Sequence, residues 1–289
     1  MTAVTAKTAG TSHATLRALV RNKLALAALI LLALFVLAAV FAPLLAPYDP
    51  NAQDLLSRLQ PPGTAGHFLG TDQLGRDLTS RLIYGSRVSL LVGCSAALLA
   101  GILGALIGLI AGFRGGWVDR VLMRIADIQL AFPSILLALA IVGFLGSGLW
   151  YVILVLGFTG WVNYARVVRS EVLSLRSRDF VTEARAIGVR SGTIMRRHLL
   201  PNVLAPLATI GTLHVASAIV AESSLSYLGL GVPKTTVTWG SMLSDGQLYL
   251  GTSWWIAVFP GCALMLTALA INIAGDVLRD VADPKAYRR

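Results

Sequence analysis

Residues 179–202 read DFVTEARAIGVRSGTIMRRHLLPN, a polar and basic stretch inside a chain that is otherwise very apolar. Asp179 is a residue type that often caps helices, and it predicts a first helix over residues 180–187. Gly188 follows this helix and can adopt the left-handed conformation in which many helices end. The pattern therefore predicts a short helix closed by a glycine turn.

The second half of the stretch predicts another short helix. Ser191 can cap a helix over residues 192–199, and Pro201 is expected to stop it because proline has no backbone N–H. Apolar runs long enough to span a membrane flank the stretch on both sides. The two polar helices between them would find nothing to pack against inside the bilayer. We expect this segment to lie on the membrane surface or to dock on another protein.

The composition indicates an integral membrane protein. The chain has 289 residues, of which 56% are hydrophobic and 13% are charged, and its polar segments are too small to bury a soluble core. The net charge of +10 does not indicate nucleic-acid binding, because the basic residues are spread over the loops between apolar runs. Cys94 and Cys262 fall inside apolar runs, where we expect them to pack as small apolar residues without a disulfide or a metal.

Six apolar runs predict an all-α polytopic membrane protein with six transmembrane helices, at residues 24–46, 88–112, 130–146, 150–165, 203–221 and 254–275. A signal peptide is the alternative for the first run, but its apolar core would be shorter and no clear small-x-small cleavage site follows. The predicted order begins with an N-terminal segment (1–23), a first transmembrane helix (24–46) and a loop with a helix (47–87). A core of five transmembrane helices (88–275) and a tail (276–289) follow.

The distribution of basic residues orients these spans. With the N-terminus in the cytoplasm, 19 of the 24 Lys and Arg residues fall in cytoplasmic segments and five fall outside. The inverted chain would carry its most basic loop, residues 166–202, on the outside. We therefore expect both termini and the 179–202 stretch in the cytoplasm, and residues 47–87 outside.

Seven residues of the 179–202 stretch carry a resemblance: Glu183, Ala184, Arg185, Gly188, Ile194, His198 and Pro201. In this spacing they resemble the EAA loop of ABC importer permeases, a coupling element that seats in a groove of a cytoplasmic ATPase. The family's commonest form has a second alanine where this chain has Arg185. The alternative is a basic juxtamembrane helix held at anionic lipid headgroups, which attract about 1 kcal/mol per basic residue.

The segment before the second apolar run carries a more specific resemblance. Leu69-Gly70-Thr71-Asp72, Gly75-Arg76-Asp77 and Ser80-Arg81 are similar to the second permease of dipeptide and oligopeptide importers. Thr71 or Asp72 is expected to cap a helix that begins near Gln73. That helix would carry two i,i+4 ion pairs in water, Asp72 with Arg76 and Asp77 with Arg81.

Two later segments resemble the same subfamily. Residues 222–231 read ESSLSYLGLG and resemble the external segment between the last two spans. One interpretation is that this segment dips back into the membrane. The tail carries Asp283-Pro284-Lys285. The resemblance covers about residues 20–287, nearly the whole chain.

The resemblance implies a type I ABC importer permease fold in a bacterial inner membrane. It also implies a complex of a second permease, two ATP-binding subunits and an external solute-binding protein, with peptide as the substrate and membrane lipid around the spans. The chain has no GxxxxGK[ST] P-loop, so we expect it not to be an enzyme and expect ATP and Mg in the partner ATPases. We expect no cofactor or metal in this chain.

The resemblance also implies roles for individual residues. Glu183 would anchor the first helix to the ATPase by charge, Ala184 would keep that contact close, and Gly188 would set the turn. The basic residues at 196–198 would hold the second helix at the membrane face. Motion of the ATPase would then be converted into rotation of the spans that flank the loop.

Two features inside the spans are further candidates. Gly101, Gly104, Gly108 and Gly112 lie on one side of a helix, where small residues let a neighbouring helix approach closely. They predict either a subunit or pathway interface or ordinary packing inside the bundle. His214 is a candidate for the transport pathway, with a neutral histidine hydrogen-bonded across helices as the alternative.

Other functions are weighed against the importer. Nickel importers share the motifs above, but no cluster of His, Cys or carboxylate in the spans indicates a metal path, so peptides are favoured. An intramembrane enzyme needs paired acids, HExxH or a nucleophile with a base inside the spans, and only His214 lies well inside one. An ion-coupled secondary transporter usually carries buried ionisable groups, and it gives the 179–202 stretch no role.

Overall fold

The computed structural model describes residues 23–233 and 235–282, with no strand among them. The predictions for residues 1–22, and for Asp283-Pro284-Lys285 of the tail, lie outside the described residues. The helices are α1 Lys23–Val40, α2 Ala42–Leu45, α3 Leu78–Arg114, α4 Gly116–Leu130, α5 Ser134–Leu145, α6 Leu149–Leu175, α7 Asp179–Ala186, α8 Ser191–Ile194, α9 Leu200–Tyr227, α10 Trp239–Gly246 and α11 Trp255–Ala282. A π-helical turn, Met195–Leu199, joins α8 to α9.

The all-α architecture and the polytopic membrane class are confirmed. Five continuous helical segments are long and apolar enough to cross a membrane, and α4 with α5 makes a sixth span if the bent pair is counted as one. Several helices are longer than the apolar runs that mark them. For example, α3 has 37 residues, about 55 Å at 1.5 Å per residue, against a hydrocarbon core of about 30 Å. The α3 helix is therefore longer than the hydrocarbon core is thick.

The third span differs from its prediction. Residues 113–129, which the sequence places as a polar connector between the second and third apolar runs, are largely helical as α4, and α4 and α5 meet at an angle of 86°. Two of its polar side chains hold this helix against α6: the Arg169 guanidinium donates to both carboxylate oxygens of Asp119, and Gln129 donates to the Thr159 carbonyl at 2.8 Å. The break lies at residues 131–133, and the proline at position 133 is its last residue.

The glycine stripe of α3 contacts α6 of the same chain. A Cβ added at Gly104 would lie 2.4 Å from the Tyr164 Cβ, and one at Gly108 would lie 2.6 Å from a backbone oxygen. At Gly112 the nearest atom, also on α6, would be 2.8 Å away, whereas Gly101 has ordinary contact at 3.4 Å. The stripe thus serves packing inside the bundle, and three of its glycines lie where no larger residue fits.

The first loop and α10 together form a compact layer, here called the cap (residues 47–77 and α10), at one end of the bundle. The predicted helix near Gln73 is wrong, because α3 begins only at Leu78, with the Asp77 carboxylate accepting from the Ser80 N–H at 2.7 Å. The Asp72 carboxylate instead folds the preceding turn, accepting from the N–H groups of Leu74 and Arg76 at 2.8 and 3.0 Å. Side-chain capping at Asp77 outweighs the capping signal of Asp72, five residues earlier.

Four charged side chains join the cap to α3. Arg76 Nε donates to Asp72 at 2.6 Å, and both Arg76 and Arg81 donate to Asp245 of α10 at 3.0 and 3.3 Å. The expected Asp77–Arg81 pair is wrong, because Arg81 lies 3.6 Å from Asp72 instead. The expectation of water-exposed pairs is wrong as well, since Arg81 and Asp72 side chains are only 2% and 1% exposed.

Two further predictions are corrected. Residues 222–231 do not form a separate segment that dips into the membrane, because α9 continues through Tyr227. Glu222 is fully buried there, with the Ser226 hydroxyl donating to its carboxylate at 2.7 Å. Cys94 and Cys262 are free cysteines on the surface of the chain rather than packed inside it.

Candidate functional site

The first half of the 179–202 stretch folds as a helix closed by a glycine turn. Gly188 has φ +78°, and its N–H donates to the Arg185 carbonyl while the Val189 N–H donates to the Ala184 carbonyl, both at 3.0 Å. This pair of bonds is the Schellman ending of a helix. Asp179 is not the cap: α7 begins with it, and its carboxylate lies in the first turn, where the helix dipole favours negative charge.

The second half does not stop at Pro201. Helix α8 begins at Ser191 without a side-chain cap, and it runs through the π turn into α9, so that residues 191–227 form one continuous span. The Leu200 N–H reaches back five residues to the Met195 carbonyl. This wider turn leaves room for the Pro201 ring, which in a regular α-helix would clash with the carbonyl four residues earlier. The Asn202 side chain donates to the His198 carbonyl at 2.6 Å.

One face of the stretch is buried in the chain's own core. Val181, Ala184, Ile194 and Leu199 are 0 to 7% exposed and pack in one cluster with apolar residues of α3, α6 and α9. Ala184 and Ile194 therefore face inward, and the predicted role of Ala184 in a close external contact does not fit its position. These four buried side chains attach the stretch to three long helices.

The other face is open. Glu183, Ile187 and Gly188 are exposed, and Ile187 is 80% exposed. No atom lies within 4 Å of a Cβ placed at Gly188, so the turn forms a free tip. Sequence reasoning missed Ile187, although a large apolar residue just before a helix-ending glycine was a usable signal.

Two side chains of the stretch, Arg185 and His198, contact aromatic rings. The Arg185 guanidinium lies over the Phe113 ring of α3, 4.7 Å from its centroid, a cation–π contact that an alanine at this position would lack. His198 lies beside Phe180, with ring centroids 6.3 Å apart. Residues 196 and 197 are exposed. The stretch is thus a small exposed tip on a rigid base formed by α3, α6 and α9.

His214 lies on α9 against α6. A Cβ at Gly160 would lie 2.3 Å from its ring, and the ring meets Tyr164 edge-on at 5.4 Å between centroids. Its Nδ1 is buried and has no hydrogen-bond partner among the described residues. The ring borders a cavity of about 300 Å³ between α5, α6 and α9. Within the described residues, no three His, Cys, Asp or Glu side chains are grouped to hold a metal ion.

Two family models match the chain. Residues 104–287 match the binding-protein-dependent transport system inner membrane component, a range that covers all of α4 to α11 and the 179–202 stretch. Residues 12–62 match the N-terminal transmembrane domain of oligopeptide transport permease C.

Several named relatives and a solved structure are similar to the chain over most of its length. The dipeptide transport system permease protein DppC of Alkalihalophilus pseudofirmus is 44% identical over 92% of this chain and 87% of its own. The di/tripeptide permease DppC of Pseudomonas aeruginosa is 44% identical over 91% and 89%, and the oligopeptide permease OppC of Bacillus subtilis is 41% identical over 91% and 86%. The fold resembles the inward-facing MetNI methionine ABC transporter, with a TM-score of 0.57 at 21% identity over 70% of this chain and 96% of that one.

Proposed function

This chain belongs to the binding-protein-dependent transport system inner membrane component family, and on that premise we propose that it is a permease subunit that carries dipeptides or oligopeptides into the cell. The relatives reported above are named for dipeptides, di/tripeptides and oligopeptides, which favours peptides over nickel. The observation that carries the proposal is the exposed tip at residues 183–188 on a base that joins three long helices.

As a member of this family the chain is a transport component of the inner membrane that works with other subunits. The proposed complex contains a second permease, two ATPases that bind ATP and Mg, and an external solute-binding protein. We place both termini and the tip in the cytoplasm, because that orientation puts 19 of 24 basic residues inside. The cap then faces outward.

The geometry supports a lever mechanism of coupling. In this proposal an ATPase groove receives the tip, with Glu183 supplying charge and Ile187 an apolar anchor. Because the base of the tip shares one core with α3, α6 and α9, movement of the tip turns these helices as a body rather than bending the loop. Such rotation would open the pathway between the two permeases alternately to each side of the membrane.

The test is uptake in a strain deleted for this chain. Labelled dipeptide, a longer labelled peptide and labelled nickel are measured in the deletion strain and after restoration of the wild-type chain. We expect peptide uptake to be lost and restored while nickel uptake is unchanged. Lost nickel uptake with normal peptide uptake would refute the substrate, and ATP-independent uptake by the chain alone would refute the importer class.

A further inference from the structure

We propose that the cavity between α5, α6 and α9 is a substrate contact site that binds the uncharged, hydrogen-bonding groups of a peptide, chiefly its backbone amides. This inference rests on the proposed function, since it identifies where a transported peptide touches this subunit. It is carried by three observations: the lining of the cavity, the polar row on α9, and the break between α4 and α5.

The cavity has a volume of about 300 Å³ and is lined by polar groups from three helices: Ser134 of α5, Thr159 and Asn163 of α6, and His214 and Ser217 of α9. Asn163 and Ser217 are exposed on the surface of the chain. The cavity therefore opens outward from this subunit, and polar groups stand at its mouth.

The α9 helix carries polar side chains along the same side. Asn202, Thr209, Ser217 and Ser224 recur at steps of seven, eight and seven residues, and each is exposed or half-exposed. The hydroxyls of the last three donate to carbonyls of their own helix, four residues earlier in each case. Leu213 and Val220 are exposed between these polar residues, so this side of α9 is mixed in character.

A different side of α9 is apolar. It borders a groove of about 710 Å³ whose lining includes Leu204 and Ala208 of α9 and Cys94 of α3. The groove, being almost wholly apolar, suits lipid or a packed apolar partner. The mixed side of α9, which carries the polar row, is the side that suits an aqueous pathway.

The break at residues 131–133 gives independent support. It lies at the start of the predicted third span, where α4 and α5 meet as a bent pair. Non-helical backbone at membrane depth is tolerated where protein buries it or where it lines a water-filled cavity. Ser134, the first residue after the break, lines the cavity, so the break and the polar pocket occupy the same place.

The chemistry of the lining selects the ligand class. The described lining contains no carboxylate and no Lys or Arg, so a charged terminus or side chain would find no counter-charge there. The Asn163 carboxamide and the His214 imidazole offer both donors and acceptors. The Thr159 and Ser217 hydroxyls donate within their own helices and offer acceptors only. Together these groups match the N–H and C=O groups that every peptide carries. Such a site accepts peptides of differing side chains, because it recognises the main chain.

The test measures thiol labelling in membrane vesicles that contain the whole importer complex. Ser217→Cys is placed in a chain whose native cysteines are replaced by alanine. Two controls report the apolar groove: Ala208→Cys in the same background, and a chain that retains only Cys94. A membrane-impermeant methanethiosulfonate is added with and without saturating alanyl-alanine.

We expect the thiol at Ser217→Cys to react and alanyl-alanine to slow its reaction. Both controls should react at least about tenfold more slowly, because apolar surroundings disfavour the reactive thiolate. Equal labelling of all three positions, or labelling at 217 that the peptide does not slow, would overturn the proposal. Peptide uptake by the same vesicles tests the proposed function separately, and Ser224→Cys on the same face replaces Ser217→Cys if that variant does not assemble.

Discussion

Replacement of Gly188 by valine tests the coupling turn. Gly188 has φ +78° and free space around it, so the whole cost of a side chain comes from the backbone. A residue other than glycine in this conformation costs roughly 1–2 kcal/mol, and a β-branched one resists it most. The turn is held by two hydrogen bonds that each contribute about 1 kcal/mol net. Since the cost is comparable to this gain, Gly188→Val should open the turn and displace the tip.

The assay is the ratio of dipeptide uptake to ATP hydrolysis in a reconstituted complex. Opening by 1–2 kcal/mol changes the population of the native turn by roughly 5- to 30-fold, so we expect this ratio to fall by several-fold. Gly192→Val is the matched control, because Gly192 is equally open but has no positive φ. Gly188→Asn should retain most coupling, since asparagine tolerates the left-handed region. A wild-type ratio in Gly188→Val would refute the reasoning.

Three other substitutions test the packing, each read as thermal stability of the purified complex. Gly104→Ala should destabilise the chain by roughly 1–3 kcal/mol, because its new Cβ would lie 2.4 Å from the Tyr164 Cβ of α6. Gly143→Ala, whose Cβ meets nothing within 4 Å, should not destabilise it. Equal effects of the two substitutions would contradict the packing. Ile194→Ala should cost roughly 2–5 kcal/mol and also weaken coupling, because this buried side chain fixes the tip to its base. Asp72→Ala should cost roughly 3–5 kcal/mol by leaving buried guanidinium groups under-paired, while the exposed Asp49→Ala should have little effect.

Local signals in the sequence were enough to predict the glycine turn of the tip. A glycine after a short helical pattern needs only its own conformational freedom to act, so Gly188 was predictable without tertiary contacts. Pro201 misled the same reasoning, because a π turn absorbs its ring and lets the helix continue. The rule that proline stops a helix holds for regular α-helical geometry, and a local change of helix type removes the clash.

Long-range contacts were not predictable from spacing. Asp72 and Arg76 were interpreted as a helix pair in water, but both are buried, and the partly exposed Asp245, 169 residues from Arg76, pairs with the same arginine. Nothing local in the sequence connects α10 to the first loop. Likewise the burial of Ala184 depends on where α3 and α6 lie, and a short helix does not by itself show which face points inward.

The central claim is that the tip docks in a separate ATPase. A photo-reactive benzoylphenylalanine placed at Ile187, which is 80% exposed at the tip, tests this contact in intact membranes of the assembled importer. The same group at Leu56, which is 94% exposed in the cap, is the control. We predict an ultraviolet-dependent cross-link to an ATP-hydrolysing subunit from position 187 and none from position 56. A cross-link to that subunit from position 56, or none from position 187 in complexes that still import peptide, would contradict the account.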